Sequence, residues 1–329
     1  MLYEWLVKPY REIISYYIRS NTSSVILIQS NTGCGIKNLY LYIVKRILCL
    51  KPNNFISCNN CKSCNFIKEN SHPDFFNILT KNYLKNTIGI DDVRFICKNL
   101  LLNSHLNKGK VILIENLEKL TNQASHALLK TLEEPTIKTY FILGCKNIYC
   151  ILPSIISRSQ IWKVIINKKD SLKWLEKKGH DVNSKKVIIS LKLCNWSPVI
   201  ANKIILSNFW KERKKLIFTL NNIFLKKEIA FSLLEYFKKI DMFFLILRSL
   251  ILDTIKYNSN IMFNIINYDC FYLIKNISKN FSSEYLYEQW KFLLNFKKLK
   301  KEIPRINKEI FLIKNILDLH ETIIKSGNK

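Results

Sequence analysis

Val25-Ile-Leu-Ile-Gln29, then Ser30-Asn-Thr-Gly33-Cys-Gly35-Ile36-Lys37-Asn38, then a helical pattern to about Leu48, decide how this chain reads. A β-branched run, a glycine-bearing turn and a helix, in that order, match the strand–loop–helix of a phosphate-binding loop. In a working loop the turn amides cradle phosphates, a lysine reaches the β/γ-phosphates, and a Ser or Thr hydroxyl holds Mg²⁺. Gly33 and Gly35 stand where a G-x-G-K-[ST] ending puts its glycines. Ile36 then takes the lysine position and Lys37 the hydroxyl position. Making Lys37 the lysine requires an extra residue after Gly35, and it leaves Asn38, a poor Mg²⁺ anchor, in the hydroxyl place.

The partner strand is altered in the same direction. Nucleotide-hydrolysing proteins of this build end a hydrophobic strand in Asp-Glu, for the metal and for activating water. Here Val111-Ile-Leu-Ile114 is followed by Glu115-Asn116. Glu115 retains an acid that can meet a metal, whereas the amide of Asn116 cannot act as a general base. The chain therefore reads as the skeleton of a nucleotide-binding domain without an ATP site of its own.

Outward from the loop, Tyr140-Phe-Ile-Leu143 and Ile161-Trp-Lys-Val-Ile165 are further strands. Helices are predicted near Asp91–Leu102 and Asn122–Glu133, the second with Thr121 as N-cap and Pro135 just past its end. Strands alternating with helices predict an α/β domain with a parallel sheet covered on both faces. After about Asn167 the strand pattern stops. Asp170–Lys178, Ser184–Leu193 and a stretch after Ser197-Pro198 read as short helices. Long amphipathic runs follow over Phe209–Leu225, Glu228–Ile255 and Ser283–Phe296. The expected domains are 1–165, 166–207 and 208–329.

With 329 residues and 48% apolar content, the chain can bury a large core. Seven glycines and seven prolines argue against a β-sandwich or a low-complexity chain. Met242–Ile255, the longest apolar stretch, is interrupted by Arg248 and Asp253, so a buried helix is expected rather than a membrane span. The start, Met1-Leu-Tyr-Glu-Trp-Leu-Val-Lys-Pro, has no leader pattern, and a cytoplasmic protein is expected. A net charge of +27 suits acidic partners such as nucleic acid. Abundant Lys, Asn, Ile, Tyr and Phe equally fit drift under A+T-rich coding, with the charge spread over solvated faces.

Four of the ten cysteines cluster as Cys49, Cys58, Cys61 and Cys64, a C-x8-C-x2-C-x2-C run. Four thiolates in one short loop match a closed, tetrahedral structural Zn²⁺ site. An iron–sulfur run would need a cysteine at Lys68, and free thiols are the remaining alternative. No His, Asp or Glu completes a catalytic arrangement there, so the metal is expected to fold the loop.

In order, the altered loop, the cysteines, His72-Pro-Asp74, Gly89-Ile-Asp91-Asp-Val-Arg94, Ala127-Leu-Leu-Lys-Thr-Leu-Glu-Glu-Pro135, Phe141-Ile-Leu143 and Ile156-Ser157-Arg158-Ser159 resemble one known family. It is the delta-prime subunits of bacterial DNA polymerase III clamp loaders, within the AAA+ superfamily. The resemblance spans essentially the whole chain and is most specific before residue 165. It implies an AAA+ (RecA-like) domain with an inserted zinc module, a small helical lid and an all-α collar. It further implies a pentameric ring with gamma/tau and delta subunits, acting on the sliding clamp and primed DNA, with no membrane partner. Family members carry Ser-Arg-Cys, whose arginine enters the neighbouring subunit's ATP site. Ser157-Arg158-Ser159 keeps the arginine and changes the cysteine, which implies Arg158, with Ser157, as a finger acting in trans. Hydrolysing relatives place an arginine shortly after a Gly-Ser pair in the lid, and Trp196-Ser197-Pro198-Val199 offers none.

Three functions compete. A non-hydrolysing loader subunit accounts for every motif. An active gamma/tau-like motor shares the cysteines, but Ile36 and Asn116 speak against it. A zinc-dependent nucleic-acid-binding protein explains charge and cysteines but not the strand order or the Arg158 segment.

Overall fold

The computed structural model describes residues 2–20, 24–78, 87–136, 138–225, 232–233, 235–236 and 240–302. Residue contacts divide the chain into two units, Met1–Asp170 and Ser171–Lys329.

In the first unit helix α1 (Glu4–Ser20) leads into strand β1 (Ser24–Ser30), helix α2 (Ile36–Leu48) and the short helix α3 (Lys62–Lys68). Strand β2 (Phe75–Ile78), helix α4 (Ile90–Leu100), strand β3 (Lys110–Ile114), helix α5 (Asn122–Glu133) and strand β4 (Thr139–Cys145) follow. A one-turn helix α6 (Pro153–Ser157) and strand β5 (Gln160–Val164) close the sheet. Every pairing is parallel, in the order β2-β3-β4-β1-β5. The three central strands are continuous apolar runs because both of their faces are covered. Val25, Leu27, Ile112, Ile114, Phe141 and Leu143 pack on one face with Val93 and Ile96 of α4 and Leu128 and Leu132 of α5. The intervening Ile26, Ile28, Leu113 and Ile142 are equally buried, and α1 and α2 contact the sheet at β5 and β3. This is an α/β domain built on a five-stranded parallel sheet.

Local chemistry sets the helix starts. Thr121 caps α5, its hydroxyl accepting from Ala124 N at 3.2 Å. At α4 the Asp92 carboxylate accepts the Gly89 N–H at 3.3 Å. Helix α1 and strand β2 were not anticipated from the sequence. The strand is short, and only Ile78 of its four residues is buried, so it lacks the apolar run that betrays the inner strands.

His72-Pro-Asp74 joins α3 to β2. The buried Asp74 carboxylate accepts the backbone N–H groups of His105 (2.8 Å) and Leu106 (3.0 Å). Those bonds pin the segment that enters β3. Beside them the buried Lys110 ammonium donates to the carbonyls of Asn99 and Leu102, and burial pushes its pKa down.

The second unit is helical throughout its described residues. Helix α7 (Lys168–Lys177) leads into it, and α8 (Lys185–Leu193) and α9 (Pro198–Leu206) pack with α7 around Leu175, Val187, Leu191, Ala201 and Ile205. Helices α10 (Phe209–Phe224), α11 (Ile240–Asn258), α12 (Phe271–Asn280) and α13 (Ser283–Glu302) share a larger core that includes Leu216, Leu220, Phe243, Leu250, Leu273 and Leu286. The Arg213 guanidinium, buried in this unit, bonds both Asp269 oxygens (2.5 and 2.8 Å) and Asn267 Oδ1 (2.9 Å). The early part of the predicted Glu228–Ile255 helix and the last part of 208–329 lie outside the described residues. Among the described residues no helix is long and apolar enough to cross a membrane.

Candidate functional site

The loop Asn31–Gly35 leaves β1 at its carboxyl end and turns into α2, the usual crevice for ligands of open parallel sheets. Gly33 (φ 81°) and Gly35 (φ 71°) both take left-handed backbone, which is why the turn needs glycine. Gly35 is the residue just before α2. Ile36, the first helical residue, brings an uncharged butyl side chain to this turn.

Lys37 lies one residue further, and its ammonium sits 3.1 Å from Glu115 Oε2. Glu115 follows β3 and is largely buried, with 13% of its side chain exposed, whereas Lys37 is mostly exposed. The two residues singled out from the loop and from the end of β3 therefore meet each other directly. Strand β4 lies between β1 and β3, and Gly144 near its end makes room for the approach. A Cβ at Gly144 would lie 2.2 Å from Tyr40 Oη and 2.5 Å from the Glu115 carbonyl oxygen. Burial, and then Glu115, push the Tyr40 hydroxyl pKa well up, so it stays a neutral phenol.

The amino-terminal segment lies against the same turn. Trp5 Nε1 donates to the Cys34 carbonyl at 2.9 Å. The Tyr3 ring, stacked on Trp5 with centroids 4.8 Å apart, packs so closely on Gly35 that an added Cβ would lie 2.2 Å from Tyr3 Cε2. Tyr3, Trp5, Tyr40 and Gly144 were not singled out in the sequence, because nothing in its local pattern joins the start of the chain or β4 to the loop. Asn116 follows Glu115 just ahead of the turn Leu117–Lys119. In the second unit Trp196 (φ 60°) turns the chain into α9 and its carbonyl accepts from Ser171 Oγ at 2.7 Å.

Arg158 follows α6 and precedes β5. Its Nη2 lies 2.6 Å from Glu133 Oε1, at the end of α5, and its Nη1 donates to the Ser154 carbonyl at 2.9 Å. The Ser157 hydroxyl is 3.5 Å from the same Nη1. Register fixes where this arginine stands. Gln160 is level with Ile26 and Val164 with Ser30, so Arg158 stands near the level of Ser24, at the amino end of the strands. Six residues of strand, about 20 Å at ~3.3 Å each, separate that level from the phosphate loop. Arg158 cannot reach the loop of its own chain.

Cys49 closes α2, and Cys58, Cys61 and Cys64 follow around the start of α3. Their Sγ atoms all lie within 4.8 Å of one another, with Cys49 and Cys58 at 3.5 Å. Thiolates about 2.3 Å from a tetrahedral zinc stand roughly 3.8 Å apart, so the cluster fits such an ion. Backbone N–H groups already point at sulfur: Cys58 N to Cys49 Sγ (3.3 Å), Cys61 N to Cys58 Sγ (3.4 Å) and Cys64 N to Cys61 Sγ (3.5 Å). Such donors favour thiolate, and those from Asn60 and Cys61 bring the Cys58 pKa down to about 6. Burial pushes Cys64 the other way, to about 12. Beside the cluster Ser63 Oγ donates to the Leu48 carbonyl (2.7 Å) and meets His72 Nε2 at 2.9 Å, tying the module to the segment before β2.

Two family models match the chain. The family described as "DNA polymerase III, delta subunit" matches residues 8–167, and "DNA polymerase III, delta subunit, C terminal" matches residues 207–321. The DNA polymerase III subunit delta' of Buchnera aphidicola from Acyrthosiphon pisum is 33% identical over 96% of this chain and 97% of its own. The chain belongs to the DNA polymerase III delta-prime family. The corresponding subunit from the Schizaphis graminum strain is 31% identical over 96% of both chains. A solved gamma subunit-related protein of Thermotoga maritima is 21% identical, with a TM-score of 0.49, over 94% of this chain and 98% of that one.

Proposed function

We propose that this delta-prime chain is a non-hydrolysing subunit of the DNA polymerase III clamp loader that lends Arg158 to the ATP site of a neighbouring subunit. One observation carries the reading. The chain's candidate finger stands at the amino end of the sheet while its own loop lies at the carboxyl end, about 20 Å of strand away. A side chain so placed serves a site outside its own chain. The loop itself favours no nucleotide, because Ile36 offers no charge to a phosphate and Lys37 engages the acid that would otherwise hold Mg²⁺.

A guanidinium near a γ-phosphate stabilises the charge that develops as the phosphoryl group transfers. On this reading Ser157 and the α6 turn present that group, and the neighbour supplies nucleotide, metal and water. Zinc held by Cys49, Cys58, Cys61 and Cys64 would act as a fold-stabilising crosslink. The partners follow from the family: gamma/tau and delta subunits in a pentameric ring, with the sliding clamp and primed DNA as the objects of the work, in the cytoplasm. Residues 1–165 would form the AAA+ domain, 166–207 the lid and 208–329 the collar that joins the ring.

Arg158→Ala in the reconstituted loader tests the role. Turnover at the neighbouring site should fall on the order of 10³-fold or more, because fingers of this kind contribute that much. Unchanged ATP hydrolysis by the complex would remove the assignment.

A further inference from the structure

Arg158 is the residue just after α6, on a turn with φ −94° and ψ 0°, and its long side chain has many rotamers to lose on ordering. Besides the Ser157 hydroxyl at 3.5 Å, two shorter contacts restrict it within its own chain. The Ser154 carbonyl accepts from Nη1 at 2.9 Å, on the helix that carries the arginine. The other comes from a separate element, where Glu133 Oε1 lies 2.6 Å from Nη2. Each nitrogen so engaged fixes one end of a flat, five-donor fork. The pair is half-exposed, with 36% of the arginine side chain and 48% of the glutamate accessible, so the remaining N–H groups are open to a partner.

We infer that Glu133 is a positioning residue for Arg158: its carboxylate, together with the Ser154 carbonyl, presets the guanidinium plane for a phosphate on the neighbouring subunit. The inference rests on the role in trans proposed above. Helix α5 ends at Glu133 and packs against α6, so the carboxylate is delivered by a rigid element rather than by a loop. A preset donor needs no reorganisation when charge develops, which is where such groups contribute to rate. A half-exposed pair holds its geometry only modestly, and so the effect on rate should be modest too.

A double-mutant cycle in the reconstituted loader separates this from a plain surface ion pair. Glu133→Ala should lower kcat for ATP hydrolysis about 2- to 5-fold, the range that an exposed charge pair supports, with little change in KM. Glu133→Gln, which keeps an acceptor oxygen, should recover most of that loss. In an Arg158→Ala background Glu133→Ala should have no further effect. Thermal unfolding of each chain confirms that the variants fold. A wild-type rate for Glu133→Ala alongside an impaired Arg158→Ala would overturn the positioning role and leave the finger standing. An equal loss from Glu133→Ala in both backgrounds would also overturn it. Failure of Arg158→Ala to impair hydrolysis would instead remove the reading on which it rests.

Discussion

The Lys37 ammonium lies 3.1 Å from Glu115 Oε2, joining the first turn of α2 to the residue after β3. On the function proposed above, Lys37 takes the place of a Mg²⁺-binding hydroxyl and sits on the acid that the metal would use. The altered loop is thus a closed arrangement of the chain's own groups, with the Tyr3 ring against Gly35 on another side.

Replacing Lys37 by Thr restores the hydroxyl without restoring the lysine. Because Lys37 is mostly exposed, its pair with Glu115 stabilises the fold by no more than about 1 kcal/mol. Urea unfolding should register a loss within that limit, and an ATP titration of the variant should still show no saturation while Ile36 remains.

Gly144→Ala should be far more damaging. An added Cβ lies 2.2 Å from Tyr40 Oη and 2.5 Å from the Glu115 carbonyl, and overpacking of this kind costs about 1–3 kcal/mol. Tyr40→Phe in the same chain removes one of the two clashes and should recover part of the loss. Denaturant midpoints of the single and double variants check both statements.

The cysteine module should depend on metal. Cys58→Ser/Cys61→Ser leaves two of four ligands, and metal analysis of the purified variant should find no stoichiometric zinc. Binding energy is folding energy in such modules, on the order of 10 kcal/mol at neutral pH. Limited proteolysis should therefore open residues 49–68 first while the sheet persists. Stoichiometric zinc in the variant would refute the ligand set.

In the second unit, Arg213 is the test of a buried polar group. Its guanidinium is 1% exposed and bonds Asp269 and Asn267. Arg213→Ala should destabilise the protein by about 3 kcal/mol, because it strands those partners and leaves a cavity. A calorimetric loss well under 1 kcal/mol would show that the helices repack around the change.

Much of this was legible in the sequence, for reasons that differ by element. Val25–Gln29, Val111–Ile114 and Tyr140–Leu143 announce themselves because both faces of a central parallel strand are apolar. The four cysteines were legible from spacing alone. Phe75–Ile78 was not, since an edge strand with one buried residue has no pattern to see. The contacts that define the loop corner were hidden for another reason. Tyr3 meets Gly35 and Lys37 meets Glu115 across long sequence separations, and no local period encodes such a meeting. Glu133 illustrates the same point: within Leu-Glu-Glu-Pro it reads as a solvated helix end until the fold brings Arg158 against it.

On the proposed function this chain binds no nucleotide itself. Equilibrium titration of the isolated protein with ATP and Mg²⁺ decides the matter. No saturable binding is expected up to millimolar ATP, whereas saturable binding of one ATP per chain would overturn the proposal.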